Sequence, residues 1–315
     1  MRPAGRYHPR IMLPDSLQQL NERLGIGSAL VFETGQGGLV RAAMRSPAAD
    51  AHVYLHGAHV THYHPRGTAP VLFMSARSAF ESGKPIRGGV PVIFPWFGPR
   101  KDDPSSPMHG LARLTGWSPA ASRQLDNGAV ELSLQLASGP ETRRLWPHDF
   151  CLRYIVRVGS ALEMALEVAN TSSRDFSFEE ALHTYFAVGD VRQVQVRGLE
   201  GCDYLDKTDN FARKNQGDAP VNISAETDRV YLDTASACTI DDPALSRRIV
   251  IEKSGSGNSV VWNPWVAKAK AMPDFGDDEW PGMICVETCN VGPSAVQLPA
   301  GRTHRMSASI RVGQM

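Results

Sequence analysis

The chain of 315 residues carries 33 Lys+Arg against 33 Asp+Glu, so it has no global basic surplus with which to displace phosphate counterions, and nucleic-acid binding is not expected. A hydrophobic fraction of 42% and a charged fraction of 21% lie near globular norms and speak against wholesale disorder. No apolar run approaches the roughly 20 residues of a helical membrane span.

The opening stretch MRPAGRYHPRIMLPDS is basic but has no apolar core behind it, so a secretory signal is not expected. The spacing then predicts one short helix. Asp15 or Ser16 can cap it, Leu17, Leu20 and Leu24 share a face, and Gly25 can end it. From there the dominant period is two. Strands are expected over 28–33, 38–44, 51–64, 129–136, 229–233, 247–253, 259–262, 283–289 and 305–311. Leu152, Tyr154, Val156 and Val158 alternate with polar neighbours, turn at Gly159-Ser160, and resume as Leu162, Met164, Leu166 and Val168, which is the pattern of a β-hairpin. With 28 Gly and 22 Pro punctuating many short strands, the expectation is all-β: one large antiparallel sandwich. Its catalytic domain would span 28–315, behind an extension over 1–27 that carries the helix. The polar stretch 207–220 and the Ser/Gly run 254–258 read as surface loops.

Five cysteines without a C-x-x-C pair argue against a disulfide framework and for a reducing, cytoplasmic setting. Cys285 and Cys289 fall on one face of an apolar strand, where they act as small hydrophobes.

Four segments carry residues suited to chemistry. In PIRGGVPVIFPWFGPR (85–100), Gly88-Gly89 permits a sharp turn or close backbone approach, and Arg87 just ahead of it offers a planar fork to an anion. MHGLARLTGW (108–117) adds His109 and Arg113, so two cations could converge on one anion. FEEALHTYFAVGD (178–190) holds His183, a group that titrates near neutrality, though such a histidine can equally be a satisfied core residue. MICVETCN (283–290) puts Glu287 on the face of Met283, Cys285 and Cys289. A carboxylate there is costly to bury, so it is either paired structurally or held for a reaction. The five histidines of HVYLHGAHVTHYH (52–64) suggest a metal at first sight. No cysteine or carboxylate lies close by to complete a ligand set, so an exposed histidine-rich strand is expected, with no metal.

Taken together and in order, IRGGVPVIFPWFG, MHGLAR, LHTYF, DRVY, VVWNPW and ICVET resemble the hexose-6-phosphate mutarotases, or glucose-6-phosphate 1-epimerases, of the aldose 1-epimerase group. The resemblance runs from about residue 30 to the C-terminus. It implies a galactose-mutarotase-like sandwich, His183 as catalytic acid and Glu287 as catalytic base. It also implies that Arg87 and Arg113 hold the substrate through its phosphate, and that Asp228 and His109 bind substrate. One departure stands out: Met108 occupies a position that is often Gln in that family, so one polar sugar contact is lost. A sugar site also calls for an aromatic platform, for which Trp262, Trp265 and Trp96 offer themselves and Trp262 is the choice.

The reaction so implied is interconversion of the α and β anomers of a hexose 6-phosphate by a monomeric enzyme needing no cofactor. Two other readings use the same residues. One is a 1-epimerase acting on free sugars, which two phosphate-seeking arginines disfavour. The other is a non-catalytic sugar-phosphate-binding module, for which loss of His183 or Glu287 would have been the sign.

Overall fold

A computed structural model describes residues 16–100 and 102–315. The helix Leu17–Leu24 starts where Ser16 closes a reciprocal cap: its hydroxyl accepts from the Gln19 amide (3.2 Å) and its own amide donates to the Gln19 side chain (2.8 Å). Asp15, the other cap suggested by the sequence, lies outside the described residues. Leu20 and Leu24 face inward. The Asn21 side chain ties the helix to Phe32 by two 2.8 Å bonds, one to its carbonyl and one from its amide.

The rest is largely antiparallel sheet. Four consecutive strands, Leu30–Thr34, Val40–Arg45, Ala49–Tyr54 and His59–Pro65, form a meander. Nine strands make the largest sheet, whose centre is Thr303–Gln314 beside the hairpin Phe150–Val158 and Leu162–Asn170. That hairpin has the register its alternation predicts, with Leu152 opposite Val168 and Val158 opposite Leu162. All eight alternating apolar residues are buried. The expected single strand over 51–64 is instead two, because Gly57 and Ala58 take left-handed φ values of 70° and 48° and reverse the chain between them.

An eight-stranded sheet carries the site. Asp203–Asp206, Thr227–Tyr231, Asn258–Asn263, Met283–Asn290 and Glu180–Leu182 succeed one another across it, and Tyr185–Ala187 also pairs with Met283–Asn290. All eight residues of Met283–Asn290 are buried, so both faces of this strand are covered and alternation divides two environments. Ile284 and Val286 enter the main core that the sheets share. Cys285 and Cys289 belong to a second, smaller apolar cluster on the other face, with Tyr185, Val230, Val260 and Trp262. Glu287 lies between those two cysteines on that second face. All five cysteines are free thiols. Among the described residues, no helix is long and apolar enough to cross a membrane.

Candidate active site

Glu287 is held mid-strand, and His183 sits in the turn between Glu180–Leu182 and Tyr185–Ala187, its amide bonded to the Pro91 carbonyl at 3.0 Å. Because both of those short strands pair with Met283–Asn290, the turn projects His183 over the same strand. His183 Nε2 lies 3.3 Å from Glu287 Oε1, and their side chains are 9% and 1% exposed. The imidazole stacks on Tyr185 at 4.9 Å with a 14° interplanar angle. Trp262 meets it edge-on at 6.2 Å and His109 at 5.6 Å.

Asp228 reaches the site from the next strand but one, directly opposite Trp262 in register. Its Oδ2 pairs with Lys207 Nζ at 2.9 Å, and Lys207 also lies 5.3 Å above the Phe97 ring. Lys207 is a site residue that sequence reasoning missed. It opens the polar stretch 207–220 that reads as a surface loop, and a lone lysine in such a stretch gives no signal. Within that stretch Ala212–Asn215 is a strand, which hairpins with Asp203–Asp206 at the sheet edge, and this turns Lys207 inward.

The two arginines come from separate loops. Gly88 and Gly89 adopt φ of 111° and 59°. A Cβ on Gly89 would lie 2.2 Å from the Val60 carbonyl oxygen, and one on Gly88 2.5 Å from that of Phe73, so both positions require glycine. This close approach sets Arg87 so that Nη1 donates to Tyr185 Oη at 2.9 Å, while Nε and Nη2 donate to Asp274 Oδ2 at 3.2 and 3.0 Å. Arg113 stands on a short 3-10 turn, is 7% exposed, and donates from Nη2 to the Met108 carbonyl at 2.7 Å. Its Nε is buried without a partner. Burial, and after it the nearby charge of Arg87, lowers its pKa to about 10. For Arg87 burial works in the same downward direction, but Tyr185 and Asp274 outweigh it and hold the group above its ordinary value.

His109 is half-buried; its Nδ1 accepts from the Gly98 amide at 3.1 Å, and its ring meets Phe97 edge-on at 4.8 Å. Met108 is 55% exposed, and its carbonyl accepts from Arg113. Of the three tryptophans, Trp262 lies in the site. Trp265 packs on Trp280 at 4.2 Å instead. Trp96 donates to the Pro107 carbonyl at 2.9 Å and lines an adjoining cleft of about 1000 Å³, which Phe97 and Lys207 also border.

Among the described residues, eight buried side-chain atoms lack a hydrogen-bond partner, and four of them belong here: His183 Nδ1, Glu287 Oε2, Asp228 Oδ1 and Arg113 Nε. Such atoms are rare because each costs a desolvation penalty. Burial raises the Glu287 pKa well above its ordinary value, with Lys207 opposing and Asp228 assisting. Burial also lowers His183 well below its ordinary value, followed by the charges of Arg113 and Arg87. The roles that the resemblance implies, base for Glu287 and acid for His183, call for an ionised Glu287 and a protonated His183. The surroundings press both towards their neutral forms.

The histidines of 52–64 are not an exposed row. His56 and His59 are buried, and their Nε2 atoms bond the carbonyls of Lys84 and Gly88, each at 2.7 Å. Burial drops the His59 pKa to about 3, so a neutral ring donates to Gly88 and steadies the turn beside Arg87. His52, His62 and His64 are half-buried, with neighbouring ring centroids 4.9 and 5.9 Å apart. Among the described residues, no group of three or more His, Cys, Asp or Glu could hold a metal ion. Exhaustive treatment with EDTA is expected to leave the anomerisation rate unchanged, measured before and after adding back zinc or manganese. A loss that either metal reverses would restore a metal reading of this segment.

This fold and site fall together with a known group. The pattern of the family Aldose 1-epimerase matches residues 42–311, and the chain belongs to that family, whose reaction class is isomerisation between the anomers of an aldose. A protein of Escherichia coli (strain K12) named "Putative glucose-6-phosphate 1-epimerase" is 37% identical over 268 residues, covering 85% of this chain and 88% of that one. One of the same name from Cenchrus ciliaris is 39% identical over 260 residues, covering 79% and 76%. Among solved structures, one from Salmonella typhimurium described as "a putative mutarotase" superposes with a TM-score of 0.85 at 34% identity, over 91% of this chain and 95% of that one. A galactose mutarotase-like protein from Clostridium acetobutylicum shares the fold at 15% identity, with a TM-score of 0.70 over 91% and 98%.

Proposed function

We propose that this protein interconverts the α and β anomers of hexose 6-phosphates, glucose 6-phosphate among them, with residues 28–315 acting as one catalytic domain. The observation that carries the reading is a buried carboxylate and imidazole 3.3 Å apart, beside two converging guanidinium groups of which Arg113 forms no ion pair among the described residues. The names of the relatives point to the same substrate.

Ring opening removes a proton from the C1 hydroxyl, breaks the bond from C1 to the ring oxygen, and delivers a proton to that oxygen. Both oxygens are bonded to C1, so acid and base must meet around a single carbon, which a contacting pair suits. The neutral pair and the ion pair hold the same single proton, so its passage from Glu287 to His183 across the 3.3 Å contact leaves Glu287 able to take the hydroxyl proton and His183 able to supply the other. The open aldehyde turns about C1–C2, and the steps reverse on the other face. The protons return to their donors, and nothing is consumed. Asp228 Oδ1 accepts from a sugar hydroxyl, His109 bonds a second polar group of the substrate, and Trp262 gives the apolar face of the sugar a flat surface. Arg87 and Arg113 hold the 6-phosphate. Burial is the main cause that presses His183 towards its neutral form, and a bound phosphate offsets the charges of Arg113 and Arg87 that add to it, so the group that anchors the substrate also favours the protonated acid.

The test is anomer exchange followed by NMR on glucose 6-phosphate and, separately, on free glucose, with and without protein. Exchange catalysed far better on the phosphate is the expected result. Equal catalysis of both would make this a free-sugar 1-epimerase, and none on either would leave a binding module.

A further inference from the structure

Asp274 lies between the helix Trp265–Ala271 and the strand Met283–Asn290, and neighbouring residues fix its backbone. Phe275 is fully buried against Phe73, with ring centroids 5.6 Å apart. The Gly276 amide donates to Ser75 Oγ (3.3 Å) and Glu279 Oε2 (2.8 Å), and Asp277 pairs with Arg77 at 2.6 Å. The Asp274 side chain is half-buried and stands in the fork of Arg87, taking two of its hydrogen bonds on one oxygen. Arg113, the other half of the cationic pair, forms no such bond among the described residues: its Nη2 donates to one backbone carbonyl and its Nε has no hydrogen-bond partner.

We propose that Asp274 is a resident counter-ion: it occupies the substrate phosphate's place on Arg87 and thereby sets how tightly the site holds a phosphate. This rests on the assignment of the two arginines to the 6-phosphate. The two guanidinium groups stand near enough for the charge of Arg87 to act on Arg113, and Asp274, whose charge acts on both, is hydrogen-bonded to Arg87. A phosphate monoester brings a charge of about −1.5 to −2, and it cannot share the Arg87 fork with a second anion without strong like-charge repulsion. The Asp274 carboxylate therefore rotates out of the fork as phosphate enters and returns when it leaves, on a loop that stays in place. Arg113, which has no carboxylate to release, takes the phosphate first. The exchange weakens the hold on phosphate and keeps inorganic phosphate from filling the site as tightly as two bare arginines would.

The experiment compares wild type with Asp274→Asn and Arg113→Ala, measuring binding of inorganic phosphate by calorimetry and KM for glucose 6-phosphate. Asp274→Asn keeps the shape and removes the charge. It is expected to tighten phosphate binding by on the order of tenfold and to lower KM in parallel, the effect of removing one like charge from a partly buried site. Asp274→Ala should move both constants in the same direction, and thermal melts confirm that each variant is folded. If phosphate binds the wild type but binds the two Asp274 variants equally or more weakly, Asp274 merely orients Arg87 and the counter-ion role falls. If phosphate fails to bind the wild type and Arg113→Ala leaves KM unchanged, the arginine assignment falls and takes this role with it.

Discussion

Replacing His183 with Asn, or Glu287 with Gln, is expected to slow anomer exchange on glucose 6-phosphate by about 10²-fold or more in each case. Each substitution keeps the approximate shape and some hydrogen bonding but removes the proton transfer. The pair acts as a unit around one carbon, so the double variant should lose little more than the worse single one. The fold should survive both changes, and Glu287→Gln should raise Tm near pH 8. The sign follows from burial, which raises the folded-state pKa of Glu287. The folded protein prefers the protonated acid, so this stability is complete below the unfolded value of about 4.3 and is lost as pH rises through the folded one. Glutamine stays neutral throughout, and the gap between variant and wild type should widen as pH rises. Near wild-type turnover in either folded single variant would refute that residue's role. A Tm gap that shrinks with rising pH would refute the burial argument.

Removing an arginine should give the second large effect. Arg87→Ala and Arg113→Ala are each expected to cost about 1.5–3 kcal/mol in kcat/KM on glucose 6-phosphate, the scale of a hydrogen bond to a charged group. The phosphate is remote from C1, so its contacts act through affinity and through the orientation they give the reacting end. The loss on free glucose should be much smaller. Arg87→Ala should be the more damaging of the two, since it also leaves Asp274 without its ion pair and facing the incoming phosphate. Lysine at either position should restore only part of the loss, because a point charge lacks the planar fork. Equal losses on glucose and glucose 6-phosphate would mean that these arginines bind the sugar ring or support the fold, and the phosphate preference would fall.

Much of the architecture was legible because it follows from local alternation. The hairpin through Gly159-Ser160 and the face of Glu287 both depend on a side-chain period of two, which a strand enforces wherever one side is buried. The initial helix was legible for a similar reason: Ser16 and Gln19 satisfy end groups within a single turn. Short strands such as Gln195–Arg197 and Asp203–Asp206 were not legible, since three or four residues hold too little alternation to stand out and are fixed by their neighbours in the sheet. The division of 51–64 at Gly57 was missed because the apolar pattern continues on either side of the reversal.

By itself the sequence determined the all-β class, the face on which Glu287 lies, and, through ordered motifs, which histidine, arginines and aspartate to examine. Only the tertiary structure could decide what those residues meet. The 3.3 Å contact of His183 with Glu287 joins positions more than a hundred residues apart through strand pairing. Strand pairing also brings Lys207 to Asp228 at 2.9 Å, and loop packing brings Asp274 to Arg87 at 3.0 Å, neither of which any local pattern announces. Protonation was likewise decided in three dimensions: a sequence shows which groups can titrate, whereas burial and the cations packed around them decide which form is favoured.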